Sequence, residues 1–465
     1  MNNEIYITLK VQPKSYQFTF EDMLNGMTPA KLAAIESDTH NTYDTMTRIY
    51  KRVPEKLMDT VDFNSMFDAL RDFVNKNSHY LDTPLVENYE TFYLEKKGKG
   101  LNALMKKIYM CRRPQNAQRY DSRELYCSVI EKLSPLRDNH PTKEHASIEA
   151  TQLQSLVDYL NQYFIVTVDD IKGFIKSSFR RIDAPKGKFK DTLNNLKDLL
   201  EYNFFGNYHT NAYAYIKGRS TFECLKKHQK NCSRWFLKLD FSNFFTNTTP
   251  DFVKKQLKMI FPFSEIYKTP QGEEYLDKAL SLCFLNEGLP QGTQVSPLLT
   301  NIIMIPIDHA ISKAMREHVP HICYTRYADD IMLSSDLSFK WTEVQQQLMD
   351  ILTSFEAPFS LNTSKTRYGS SAGRNWNLGL MLNKDNEITV GSEKKHILKA
   401  TIHQFIQDYL KGNIWDLSDT QVLAGQLSYY RMIEKDNIDR IVQRYTEKFG
   451  ISVDDVIKKI LKNEI

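Results

Sequence analysis

Apolar residues recur at intervals of three and four in FNSMFDALRDFV (63–74) and ATQLQSLVDYLNQYF (150–164), so residues 1 to about 165 read as a mostly helical region. From 166 to 235 the pattern is mixed and basic. It changes again between 236 and about 390. Short runs of β-formers, FLKLDF, ICYTRY, IMLSS and NLGLML, are separated there by the amphipathic stretches SPLLTNIIMIPIDHAISKAM and TEVQQQLMDILTSF. From about 394 on, HILKATIHQFIQDYL, DTQVLAGQLSYYRMI and VDDVIKKIL read as a closing helical bundle. Helices followed by strands interleaved with helices make an α+β chain.

Two polar interruptions of the strand pattern carry candidate chemistry. In RYADDIML (326–333) the adjacent acids Asp329 and Asp330 lie between two strand-like runs. Side chains alternate faces along a strand, so a hairpin turn is the natural place for an acid pair. Asp is common in turns for purely local reasons, and alone the pair says no more than that. A third acid, Asp240, ends the apolar run of WFLKLDFSNFF, 89 residues before Asp329. Between them LPQGTQVSPLLTN (289–301) reads as a turn running into a helix. Gly292 allows close backbone approach there, and Ser296 and Pro297 read as N-cap and first helical residue.

Taken in order, FLKLDFSNFF, LPQGTQVSPLLTN, RYADDIML, SLNTSKTR and NLGLML resemble the successive palm motifs of reverse transcriptases. RRIDAPKGKFKDTLNNLKDLLEY (180–202) and AYAYIKGRSTFECLKKH (212–228) resemble fingers motifs of the bacterial enzymes, the retron and abortive-infection kinds. The resemblance spans about 166–435 and implies a right-hand polymerase. On it, 1–165 is an α-helical region for RNA or oligomer contacts, 166–235 the fingers, 236–390 the palm with finger elements inserted at 250–288, and 391–465 the thumb and C-terminal helices.

The resemblance also implies roles. Asp240 and Asp329 would bridge two Mg2+ ions, with the backbone carbonyl of Phe241 on one of them and Asp330 contributing intermittently or from behind. Phe245 would be the steric gate beneath the sugar. Gln291 and Gly292 would line the incoming nucleotide, Lys365 would meet the pyrophosphate, and Arg181 and Lys186 would grip the triphosphate. A longer Lys-Lys-Gly loop that usually precedes Arg181 is missing here. Arg326 reads either as a phosphate contact or as the partner of an acid.

Charge sharpens the choice of partner. The net charge is only +4, but Lys96, Lys97, Lys99, Lys106, Lys107, Arg112, Arg113 and Arg119 crowd into 95–119 beside one acid. Lys172, Lys176, Arg180, Arg181, Lys186, Lys188 and Lys190 crowd into 172–190, again with one acid, and Lys217 and Arg219 follow. Such clusters either form solvated helix faces or bind a polyanion. The partners that the resemblance implies are dNTPs, an RNA template (a structured non-coding RNA) and the cDNA product, with a further copy of the chain as a candidate partner.

Six cysteines without a Cys-x-x-Cys pair give no zinc pattern, and no run reaches the ~18 apolar residues of a membrane span. The expectation is a cytoplasmic protein with free thiols and no membrane contact. After NLGLML the chain offers no acid constellation for an RNase H and no Cys/His cluster for a nuclease. What remains resembles the defence-associated reverse transcriptases of bacteria, which implies work on a non-coding RNA in anti-phage defence. A retron-type enzyme making an RNA–DNA hybrid, a protein-primed or template-independent polymerase, and a non-catalytic RNA-binding scaffold are the alternatives. Tyr93, Tyr120, Tyr429 and Tyr430 are the candidate protein primers.

Overall fold

The computed structural model describes residues 4–11, 44–95, 100–137, 145–204, 208–371 and 379–463. Two compact units interleave along the chain. The first gathers residues up to 8, 48–207 and 243–304; the second gathers 208–242 and 305 onward, together with 9–47.

Strands β1 (Ile5–Val11) and β2 (Asp44–Tyr50) form a two-stranded sheet, and in the first unit β3 (Tyr89–Glu95) pairs antiparallel with β4 (Phe179–Pro185). The mostly helical N-terminal region thus also carries the strands β1, β2 and β3, which the sequence reading did not name. IYITLKV and YETFYLE are rich in β-branched and aromatic residues, and that preference prevails where a partner strand is available.

The helical expectations hold where the period was strong. Helix Phe63–Lys76 buries Met66, Leu70, Phe73 and Val74, and Asp62 caps it by accepting from the Ser65 amide at 3.0 Å. Helix Val168–Ser178 starts on a reciprocal capping box between Thr167 and Asp170. Leu104, Ile108, Leu125, Val129, Leu156, Leu160 and Ile171 make one core shared by four helices.

The second unit is built on a four-stranded antiparallel sheet in the order β6-β7-β5-β8: Cys323–Tyr327, Asp330–Ser335, Trp235–Asp240 and Arg367–Ser370. The central strand β5 is covered on both faces. Phe236, Leu237 and Leu239 have no exposed surface, and truncating such a leucine to Ala costs about 2–5 kcal/mol. Phe236 and Met332 pack with Cys224 and Leu225 of helix Thr221–Lys230 and with Leu380, Leu382, Ile388 and Val390. On the chain's way to the end, β9 (Met381–Leu382) and β10 (Ile388–Thr389) form a two-residue ribbon. The closing helices Ser392–Leu410, Leu417–Phe449 and Val453–Leu461 share their own core through Leu398, Ile402, Phe405, Leu423, Leu427, Ile438 and Ile457. The long helix breaks at Glu434, whose backbone is non-helical. Among the described residues no single helix is long and apolar enough to cross a membrane.

Candidate active site

Strand β5 ends at Asp240, and the register sets Asp240 directly opposite Asp330, the first residue of β7. Opposed residues of antiparallel strands share a face, so the two carboxylates lie side by side. Strands β6 and β7 join through Ala328 and Asp329, with Ala328 in the left-handed region at φ 58°. The acid pair therefore sits where its sequence placed it, with Asp329 in the turn and Asp330 opening the next strand. The Phe241 amide donates to the Asp329 carbonyl at 3.1 Å, and Asn362 donates to the Asp240 carbonyl at 2.8 Å. The ends of both acid-bearing segments are thus fixed through the backbone.

The electrostatics are those of carboxylates crowded together at one end of a sheet. Burial first, and then the neighbouring Asp240 and Asp330, push the Asp329 carboxyl up to about 6. Burial also raises Asp240, against the pull of Lys365. Two ammonium groups stand in for cations. Lys365 Nζ lies 3.0 and 2.8 Å from the two Asp240 oxygens, and Lys238 Nζ lies 2.8 Å from Asp330 Oδ2. Hard carboxylate oxygens that repel one another and already hold positive charge fit a divalent ion such as Mg2+. Among the described residues no three His, Cys, Asp or Glu side chains are gathered closely enough to hold an ion alone. Magnesium sites of that kind take the rest of their shell from water and substrate phosphate.

Arg326 is a correction. It has no exposed surface and cannot reach a phosphate. Its Nε and Nη2 engage both oxygens of the equally buried Asp308 at 2.8–3.2 Å, and Tyr324 donates to Asp308 at 2.6 Å. Its Nη1 donates to the Ala328 carbonyl at 3.2 Å, so it braces the turn that carries Asp329. Of the two sequence alternatives, pairing with an acid is the one realised.

The remaining palm and fingers candidates lie in the first unit. Phe245 is half-buried and meets the buried Phe244 edge-on, ring centroids 5.8 Å apart. Its carbonyl accepts from the Leu289 amide at 3.0 Å. The Gln291 carbonyl accepts from the Asp183 amide at 2.7 Å. Gly292 has φ 136°, and a Cβ there would come within 2.6 Å of the Asp183 carbonyl oxygen. Loop 289–292 is therefore stitched to Phe245 on one side and to β4 on the other. The exposed Arg181 donates through Nε to Asp183 at 2.9 Å, and Asp183 also accepts from Thr91 Oγ1 at 2.6 Å. Lys186 is half-buried, its amide donating to Asn88 at 2.9 Å. Helix Val295–Ile303 starts earlier than expected, because Thr293 Oγ1 accepts from the Ser296 amide and leaves Ser296 buried inside the helix.

The two basic clusters meet. Helix Gly100–Tyr109 packs on helix Val168–Ser178, and Lys107 hydrogen-bonds Ser177 across them. Lys106, Arg112, Arg113, Lys172, Lys176, Arg180 and Lys188 are exposed. Lys96, Lys97 and Lys99 lie outside the described residues. In the second unit Lys217 is exposed, whereas Arg219 is half-buried and its Nη1 donates to the carbonyls of His209 and Ala212, both at 2.6 Å. Arg219 thus straps its own loop.

Sequence reasoning missed Lys238, Asp183 and Asp308. Lys238 had a signal: it lies two residues before Asp240 in a strand and so shares its face. Asp308 had one too, as a lone acid in the apolar run IIMIPIDHAI.

The family model of the reverse transcriptase (RNA-dependent DNA polymerase) matches residues 113–398. Over 281 residues the chain is 27% identical to the Retron Ec83 reverse transcriptase of Escherichia coli, covering 58% of this chain and 83% of that protein. It is 22% identical over 291 residues to the Retron Ec73 reverse transcriptase of Escherichia coli, covering 59% and 85%. Among solved structures, telomerase from Candida albicans in complex with a telomeric RNA fragment aligns over 60% of this chain and 53% of that one, with 12% identity and a TM-score of 0.36. With the family match covering more than half of its length and the three aspartates gathered at the end of its central sheet, the chain belongs to the reverse transcriptases, the RNA-directed DNA polymerases.

Proposed function

We propose that this polymerase copies a structured non-coding RNA into cDNA with two Mg2+ ions and serves anti-phage defence. The observation that carries the catalytic part is Asp240 registered opposite Asp330 with Asp329 in the adjoining turn. Asp240 and Asp329 would hold the ions together with the Phe241 carbonyl. Bound divalent ions activate the primer hydroxyl and stabilise the charge on the leaving pyrophosphate. Lys238 keeps Asp330 occupied and so leaves Asp240 and Asp329 as the principal ligands. Lys365, which pairs with Asp240, would be free to meet a phosphate if that carboxylate held an ion. The joined basic clusters supply a surface for RNA outside the sheet that carries the acids.

The likeness to two retron enzymes over most of their own length supports a retron-type reading, in which the product is an RNA–DNA hybrid and the template RNA is encoded beside the gene. It weighs more than protein priming. Tyr93 lies on β3, paired opposite Arg181, and Tyr120, Tyr429 and Tyr430 are each half-buried in ring contacts.

Primer extension on a defined RNA template with Mg2+, comparing wild type with Asp329→Ala/Asp330→Ala, tests the catalytic part. Synthesis by the double variant at the wild-type rate overturns it. Sequencing the nucleic acid that copurifies with the protein, after separate protease and RNase digestion, tests the rest. DNA whose gel mobility shifts with RNase supports the RNA-linked product, and DNA that shifts only with protease overturns it.

A further inference from the structure

Away from the aspartates, helices Ser392–Leu410 and Leu417–Phe449 flank a half-open cavity of about 300 Å³. Lys395 and Lys399, one turn apart, line it from the first helix, and Arg440 and Arg444, one turn apart, line it from the second. His396 and the uncapped start of the first helix at Ser392 open onto the same space, and no carboxylate lines it. Lys395 alone of the four permanent cations meets an acid, Glu434, at 2.8 Å. Arg440 is turned onto the Asp436 carbonyl and Asn437 Oδ1, and neither Lys399 nor Arg444 forms an ion pair among the described residues.

We propose that this cavity binds a polyphosphate monoester, either the phosphate chain of a free nucleotide or the 5′-triphosphate end of an RNA. Four like charges converging from two helices repel one another and call for a compact counter-charge. A nucleic-acid backbone carries one charge per phosphate, spread along its strand at about 3.4 Å of rise, and suits an open basic track. A triphosphate brings several charges into one small volume, with terminal oxygens that match the fork of an arginine. The helix start adds unpaired amides on the same side. Occupancy also reaches the bend in the long helix. A ligand that draws on Lys395 competes with Glu434, the residue at the break, whose carboxylate also holds Thr389 Oγ1 and the Val390 amide at 2.9 Å.

The test is calorimetric titration of the full chain with inorganic tripolyphosphate in metal-free buffer with EDTA, which keeps the ligand from entering the polymerase site on magnesium. Saturable binding is expected, weakened by about tenfold or more in Lys399→Ala/Arg444→Ala, in line with the loss of two charge-assisted contacts. Arg444→Gln alone, at an exposed position, should weaken it in the same direction and serves if the double variant unfolds. ATP and a short RNA carrying a 5′-triphosphate are the two further arms, with the same RNA bearing a 5′-hydroxyl as control. Sensitivity of ATP binding to the substitutions identifies a free nucleotide, and sensitivity of the triphosphate RNA alone identifies an RNA end. Failure of tripolyphosphate to bind, unchanged affinity in the variants, failure of both ATP and triphosphate RNA, or equal sensitivity of the 5′-hydroxyl RNA overturns the proposal.

Discussion

Lys365 reaches Asp240 from a single helical turn, Thr363–Lys365, that lies 125 residues further along the chain, and its ammonium contacts both carboxylate oxygens. A half-exposed lysine bound to a nearly buried acid is a counter-ion that can leave. The site is thereby kept near neutrality before any ion arrives.

Lys365→Met removes that counter-ion. Metal-free protein should melt lower than wild type, and Mn2+ should raise its melting temperature by more than it raises that of wild type. The catalytic rate on a primed template should fall by about a hundredfold, the usual scale for losing a positioned acid in proton transfer. A metal-induced shift smaller than that of wild type would show that Lys365 does not compete with cations for Asp240.

Asp329 sets a pH dependence whose sign is fixed by its direction of shift. Its folded-state pKa of about 6 lies above the ordinary 3.8, so the fold favours the protonated acid. The resulting destabilisation is absent below about pH 4, grows between 4 and 6, and is complete above 6. Asp329→Asn should therefore stabilise the metal-free protein at pH 7.5, on the order of 2 kcal/mol, with the gain vanishing by pH 4. Saturating Mg2+ should shrink the difference at pH 7.5. Chemical denaturation at the two pH values measures it, and a gain that persists at pH 4 contradicts the assignment.

The brace behind the turn makes a separable claim. Asp308→Ala leaves the Arg326 guanidinium buried without a partner and should cost about 3–5 kcal/mol. Asp308→Leu combined with Arg326→Met replaces the pair by apolar volume and should recover most of that loss. It should still reduce polymerase activity, because the Ala328 carbonyl loses its Nη1 donor. Recovery of activity in parallel with stability would mean that the brace serves folding alone.

Phe245→Ala tests the sugar gate. If the ring excludes a 2′-hydroxyl by contact, the preference for dATP over ATP on a defined template should drop by roughly a hundredfold, a scale typical of steric exclusion of one hydroxyl. Phe245→Tyr keeps the ring and should keep the preference. An unchanged ratio in the alanine variant would make Phe245 a packing residue like Phe244.

Strand β5 and the hairpin β6–β7 were legible as runs of β-formers and the closing helices by their helical spacing, and the three aspartates because they end or interrupt such runs. Strand β8, RYGS, was not: four residues with a glycine carry no period, and β5 alone makes them a strand. NLGLML was read as a full strand, yet of its described residues Met381 and Leu382 make up the strand β9. Arg326 shows the deeper limit. A basic residue beside a catalytic turn looks the same in sequence whether it faces a substrate or a buried acid eighteen residues upstream.

Loop 289–292 and strand β4 meet backbone to backbone, since a side chain at Gly292 would strike the Asp183 carbonyl and the Asp183 amide holds the Gln291 carbonyl directly. Mechanically the two are one lever. Arg181, two residues before Asp183 on β4, forms one end of it, and Gln291 forms the other. A shift of the β4 backbone at Asp183 passes to the loop through a 2.7 Å backbone hydrogen bond that contains no side-chain rotamer. In the proposed roles, a triphosphate contact on β4 and the loop under the base would move together, and a residue larger than glycine at 292 would uncouple them.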